Sequence, residues 1–155
     1  SYFGDLDFLF LDLPPGTGDI AISVGQLLPH AEILVVTTPQ PSASDVAWRS
    51  GDVARQTGQR VVGVIENMSG VTLADGTRLD VFGSGGGQVV ADRLQVPLLG
   101  SLPLSPNLRE AGDEGTPLVI ADPDNAVSEH LREIAQKIVR SGPSKVGKKL
   151  PVSLV

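Results

Sequence analysis

Four aliphatic runs in this chain each lead directly into a short polar cluster. Phe8–Leu11 runs into Asp12-Leu13-Pro14-Pro15-Gly16-Thr17-Gly18-Asp19, and Glu32–Thr38 runs into Pro39-Gln40. Arg60–Asn67 is followed by Met68-Ser69, and Val96–Leu102 by Pro103-Leu104-Ser105. Asp12 closes its run, the two prolines stiffen the exit, and Gly16 lets a backbone N–H approach a ligand with no side chain in the way. An acid so placed suits an Mg²⁺ ion held through water, the arrangement that offsets charge on transferring phosphates. The helix expected from Gly18-Asp19 would turn its positive N-terminus toward the same place. The plainer alternative makes Asp12 a strand-end cap and Gly16-Thr17-Gly18 an ordinary turn, since short motifs match by chance. Asn67 offers both a donor and an acceptor, which suits the edge of an adenine. Taken alone, Asn67 is better read as a turn residue bonded to its own backbone. Gln40, Met68 and Ser69 carry weaker versions of the same argument.

Gly83–Gly87 invites a phosphate-loop reading, but such a loop needs a lysine against the β- and γ-phosphates. The first lysine of the chain is Lys137. The segment reads instead as a hinge, or as tight backbone packing before a helix. His30 and His130 are isolated and read as surface residues.

These clusters matter only if one scaffold gathers them. Phe8–Leu11, Glu32–Thr38, Arg60–Asn67 and Val96–Leu102 read as strands stopped by proline or polar residues. Ile20, Val24, Leu27 and Leu28 recur at helical spacing. Ser42 and Asp45 make a capping-box pattern opening a helix, with Ala43, Val46, Ala47, Ser50, Val53 and Ala54 inward and Gly58 at its end. Asp75-Gly76 marks a hairpin turn. Gln88–Leu94 reads as a short helix, and Ser105-Pro106 opens another over Asn107–Ala111. Val127, Leu131, Ile134, Ala135, Ile138 and Val139 mark a last amphipathic helix. This alternation predicts an α/β fold, a mostly parallel sheet with helices on both faces. In such sheets, ligands bind beyond the carboxyl ends of the strands, where the four polar clusters lie.

The bulk properties agree. At 155 residues with 41% hydrophobic and only six aromatic residues, the core must be built from Val, Leu, Ile and Ala, which suits buried parallel strands. Net charge is −6, and the residues after Arg140 hold three lysines and no acid. The remaining body therefore carries nine basic and eighteen acidic residues, a surface that argues against nucleic acid as a partner. No apolar run approaches the roughly 20 residues that span a bilayer. The absence of cysteine excludes disulfides and thiolate-ligated metal within these residues. A cytoplasmic protein is expected. Residues 1–140 read as part of one domain, and 141–155 as a disordered basic tail.

Together, Asp12–Asp19 (DLPPGTGD), Val36–Gln40 (VTTPQ), Glu66–Ser69 (ENMS), Phe82–Gln88 (FGSGGGQ) and Leu99–Leu104 (LGSLPL) resemble the Mrp-type iron–sulfur cluster carriers. These are P-loop ATPases related to the MinD/ParA type. The likeness covers about residues 5–140. It implies a homodimeric ATPase of P-loop NTPase fold that passes a cluster to apoprotein clients, with ATP and Mg²⁺ as cofactors. On that likeness Asp12 is the Mg²⁺-linked acid, acting through water, and Gly16 lies near the γ-phosphate. Asn67 matches the adenine-contacting Asn, and the segment around Pro103 and Leu104 lines the adenine from the other side. The chain departs from the family in two ways. The phosphate loop with its lysines is absent, so the chain is expected to be the C-terminal portion of a longer protein and inactive alone. The interval Gly70–Val81 lacks the family's Cys-x-x-Cys, and Asp75 and Asp80 are hard oxygen donors ill suited to an iron–sulfur centre. Two rivals remain: a MinD/ParA-like partitioning or positioning ATPase, and a non-catalytic dimerisation or scaffold module. The tail lacks the bulky apolar face of a membrane-surface helix, which argues against a membrane partner.

Overall fold

The computed structural model describes residues 2–14, 16 and 18–142. Its centre is a parallel sheet of β1 (Glu32–Thr37), β2 (Arg60–Glu66) and β5 (Leu98–Ser101), in the order β1-β2-β5. A separate antiparallel ribbon joins β3 (Val71–Thr72) to β4 (Arg78–Leu79). The helices are α1 (Asp19–Leu27), α2 (Pro41–Gln56), α3 (Gly86–Leu94), α4 (Pro106–Asp113), α5 (Leu118–Ala121) and α6 (Ala126–Ser141).

Strand alternation sends side chains to both faces of the sheet, and each face has its own core. On one side Val35, Val61 and Val64 meet Ala47 and Ala54 of α2 and Val90, Ala91 and Leu94 of α3. On the other, Leu99 and Leu102 meet Ala111, Leu118, Val127 and Ile134, with Leu34 and Ile65 packed against them. The sheet is thus covered by α2 and α3 on one face and by α4, α5 and α6 on the other, as the alternating pattern requires. Full burial of a side chain such as Leu94 or Val64 contributes roughly 1.5–3 kcal/mol.

Several elements differ from expectation. Phe8–Leu11 forms no strand, and Phe8, Leu9, Phe10 and Leu11 are each at least half exposed. A strand exists only through ladder partners, and among the described residues none pairs with this run. Asp12 therefore closes no strand. The capping box at Ser42 is not used: α2 starts two residues earlier, with Gln40 as its cap and Pro41 in its first turn. Its buried face is Ser44, Ala47, Gly51 and Ala54, while Val46 is exposed. The small residues face inward because α2 lies so close to α3 and β1 that a Cβ on Gly51 would stand 2.6 Å from Leu94 Cδ1. α5 was not anticipated, since four residues are too few to show helical periodicity. Other expectations hold: Ser105 Oγ accepts from the Leu108 N–H at 3.2 Å at the start of α4. Asp75-Gly76 sits in the β3–β4 turn, where Leu73 N–H donates to Thr77 O. Of the tail expected from residue 141, Ser141 ends α6, and residues 143–155 lie outside the described residues.

Candidate functional site

The parallel register sets Thr37 beside Glu66 and Glu66 beside Ser101, so the three strands end level with one another. The segments leaving them are then laced together. Asn67 N–H donates to Thr37 O at 2.8 Å, and Leu102 N–H donates to Glu66 O at 2.8 Å. Ser69 donates to Leu102 O through both its N–H (2.9 Å) and its hydroxyl (3.1 Å), and Leu104 N–H donates to Gly70 O at 2.7 Å. Asn67 and the Pro103-Leu104 segment are therefore brought to one place by backbone bonds, as the sequence pattern required.

Asn67 is half-buried, and its Oδ1 accepts from Met68 N–H at 2.8 Å. Met68 itself is left-handed at φ 58, and so the chain turns sharply at this point. The turn-residue reading of Asn67 is thus correct as far as it goes. It also leaves the Nδ2 donors without a protein partner among the described residues, free to meet an acceptor on a base edge. Gln40 Oε1 accepts from Thr38 Oγ1 at 2.6 Å, which fixes the neighbouring exit.

Asp12 and Gly16 stand apart from this group. Asp12 is exposed, and its carboxylate takes part in no hydrogen bond among the described residues. Such an uncommitted carboxylate fits the role of holding metal-bound water. Gly16 has φ 97, and its carbonyl accepts from Ser50 Oγ of α2 at 3.3 Å. No hydrogen bond among the described residues joins this segment to Asn67 or Pro103. Pro15 and Thr17, part of the same motif, lie outside the described residues.

The structure also contains a functional candidate that residue types alone did not single out. Glu66 is only 5% exposed, and its Oε2 accepts from Gly87 N–H at 2.6 Å. The visible signal was an acid ending an otherwise aliphatic strand. Arg78, on the ribbon, pairs with Asp80 at 2.9 Å and donates to Ser69 O, tying β4 to the Asn67 exit. At Gly86 and Gly87 the glycine-rich segment is tight packing, the second of its two expected roles, while Gly83 and Gly85 have open space and left-handed backbone. A Cβ on Gly86 would stand 2.5 Å from Pro39 O, and one on Gly87 would stand 2.6 Å from Glu66 Cβ.

The family described as ParA, NUBPL iron-transfer P-loop NTPase, matches residues 1–139. This chain belongs to that family. It is 61% identical over 140 residues to the iron–sulfur cluster carrier protein of Mycobacterium bovis, covering 86% of this chain and 37% of that one. The carrier of Bacillus subtilis is 45% identical over 138 residues, covering 88% of this chain and 38% of the relative. The chain thus spans well under half the length of these relatives. Among solved structures, a nucleotide-binding protein from Archaeoglobus fulgidus in complex with ADP superposes with TM-score 0.65 at 30% identity, over 81% of this chain and 51% of that one. The cell division ATPase MinD of Pyrococcus furiosus has TM-score 0.58 at 24% identity, over 72% of this chain and 43% of that one, a likeness of fold.

The family's cargo does not fit the donors present here. The chain has no cysteine, and among the described residues no three His, Asp or Glu side chains gather as a metal site. In the ribbon, Asp80 is paired with Arg78 and Asp75 Oδ1 accepts from Thr77 N–H at 2.9 Å. No helix of the described residues is long and apolar enough to cross a membrane.

Proposed function

We propose that these residues form the adenine side and the Mg²⁺-linked acid of an ATP site in a protein that binds and hydrolyses ATP to drive iron–sulfur cluster delivery. The observation that carries this reading is the junction of the β2 and β5 exits, where Asn67 keeps Nδ2 donors with no partner among the described residues beside Pro103 and Leu104. In it, Asn67 reads the base edge and the Pro103-Leu104 segment closes over the ring. Asp12 would hold Mg²⁺ through water, and the ion would supply charge neutralisation on the phosphates. Gly16 gives a γ-phosphate access to backbone N–H. The fold likeness to an ADP complex at 30% identity supports the ligand class.

In this reading the cluster is cargo, and its thiolates come from residues outside these 155 or from a client protein. The protein works in the cytoplasm as a homodimer, and its partners are apoproteins awaiting a cluster. The partitioning-ATPase alternative has fold likeness alone behind it, and the scaffold alternative leaves the free Asn67 donors without a role. The test is Mg²⁺-dependent ATP hydrolysis and equilibrium ATP binding by the full-length protein. Hydrolysis abolished by Asp12→Asn is the expected result. A full-length protein that neither binds nor hydrolyses ATP would refute the proposal.

A further inference from the structure

Glu66 has no assigned role in the site so far, yet it is the most constrained side chain beside it. A buried carboxylate is expensive unless it is hydrogen-bonded. An apolar residue of similar size at such a position is often no less stable, so a buried acid beside a candidate site invites a functional explanation. Here Oε2 accepts from Gly87 N–H at 2.6 Å in the first turn of α3, where the helix dipole also favours negative charge. The fit is close on both sides: any Cβ at Gly87 would stand 2.6 Å from Glu66 Cβ and 3.1 Å from Oε2. Gly86 beside it is pressed onto Pro39 O and Ser44 Oγ. The same residue is also held by its backbone, for its carbonyl accepts from Leu102 N–H at 2.8 Å. The next residue in the chain is Asn67.

We propose that Glu66 is a positioning residue for base recognition: its carboxylate clamps the start of α3 to the end of β2 and so fixes where the Asn67 carboxamide stands. Three elements meet at Glu66: α3 through the side chain, β5 through the carbonyl, and the Asn67 turn through the chain itself. Gly87 is glycine because the clamp leaves no room for a side chain there. This proposal rests on the nucleotide reading above, and the test separates the two.

The experiment measures dissociation constants for ATP and GTP with the full-length protein and its Asn67→Ala, Glu66→Asp and Glu66→Gln variants. Asn67→Ala loses roughly tenfold of the ATP preference, the worth of about one hydrogen bond. Glu66→Asp keeps the charge but withdraws the carboxylate by one methylene. It loses about fivefold of the preference, with kcat at saturating ATP within about twofold of wild type. Glu66→Gln keeps an acceptor oxygen at full reach and retains the preference. A purely structural role would lower thermal stability without moving the ATP-to-GTP ratio. If Asn67→Ala abolishes the preference and Glu66→Asp leaves it intact, the clamp is overturned and the nucleotide reading stands. Equal losses in the Asp and Gln variants would show that reach is not the cause, since Gln keeps full reach, and would overturn it too. A wild type without ATP preference, or one indifferent to Asn67→Ala, overturns both. Should Glu66→Asp fail to fold, Gly87→Ala strains the same contact from the helix side, and an unchanged preference there overturns the clamp.

Discussion

Replacing Gly86 by alanine separates the two roles that a glycine-rich segment can have. An added Cβ would stand 2.4 Å from Ser44 Oγ, 2.5 Å from Pro39 O and 2.8 Å from Pro39 C. The serine hydroxyl could turn away, but the Pro39 carbonyl is backbone at the start of α2. Relief therefore requires α2 and α3 to part by several tenths of an ångström. Overpacking of this kind costs about 1–3 kcal/mol. Alanine recovers up to about 1 kcal/mol of that through helix propensity, and less at the first helical residue. The net loss is about 1–2 kcal/mol. In a domain of this size each kcal/mol moves Tm by roughly 2–4 °C, so thermal unfolding should shift down by about 2–8 °C. The paired control is Gly112→Ala. It lies within α4, where an added Cβ meets nothing within 4 Å. That substitution should leave Tm unchanged or raise it, by up to about 1 kcal/mol of stability. Both are read by thermal melts of the full-length protein, alongside ATP affinity. Two results would refute the reasoning. One is a Gly86→Ala protein as stable as the Gly112→Ala protein. The other is an unchanged Tm with a large loss of ATP affinity, which would make the segment a phosphate cradle after all.

Asp12→Asn should leave ATP affinity within about threefold and lower kcat at least about 100-fold, because losing a metal anchor removes several kcal/mol of transition-state stabilisation; steady-state hydrolysis checks it. Ile134→Ala should cost about 2–5 kcal/mol, since Ile134 is 5% exposed and lies over Gly100, with base preference unaffected in the folded fraction. The Asp75 carboxyl is held below its ordinary 3.8 mainly by the Thr77 backbone N–H. A depressed folded value means that the stabilisation is fully present above the ordinary aspartate range and is lost as pH falls through the lower folded value. The Thr77 amide shift followed by NMR should accordingly titrate with a midpoint below 3.8, and Asp75→Asn should remove that titration.

The elements that were legible in the sequence were those whose cause is local. Ser105-Pro106 caps α4 through its own side chain, and Asp75-Gly76 turns the ribbon through its own conformational preferences. The periodicity of α6 is wide enough to survive the exposure of Val139. Where the cause lies in another part of the chain, sequence reading failed. Phe8–Leu11 has every mark of a buried strand, but strandedness is conferred by a partner and none is present among the described residues. The inward face of α2 went to Ser44 and Gly51 rather than Val46 because closeness to Leu94 selects for smallness, and residue type alone argues the reverse. The adjacency of Asn67 and Pro103-Leu104 was legible because each follows a strand, and parallel register brings strand ends together. Glu66 was passed over because a single acid at a strand end looks like solvent-facing punctuation. Only its burial and its bond to Gly87 distinguish it.

Charge adds a constraint on how the proposed ATP site would be completed. Three of the cations are already engaged: Lys137 Nζ donates to Leu99 O at 2.6 Å, Arg93 pairs with Asp45 and lies over Trp48, and Arg78 is held by Asp80 and Ser69. On the proposed reading, in a body this acidic the phosphates would be met by backbone N–H groups, by Mg²⁺ at Asp12 and by a cation from beyond these residues. The adenine half needs no such help, because base recognition is a matter of neutral donors and shape. That division predicts a measurable asymmetry for the 155-residue chain, provided it folds: it should retain discrimination between adenosine and guanosine while gaining almost nothing from adding phosphates. A steep rise in affinity from adenosine to ATP in this chain alone would show that the phosphate site lies within it.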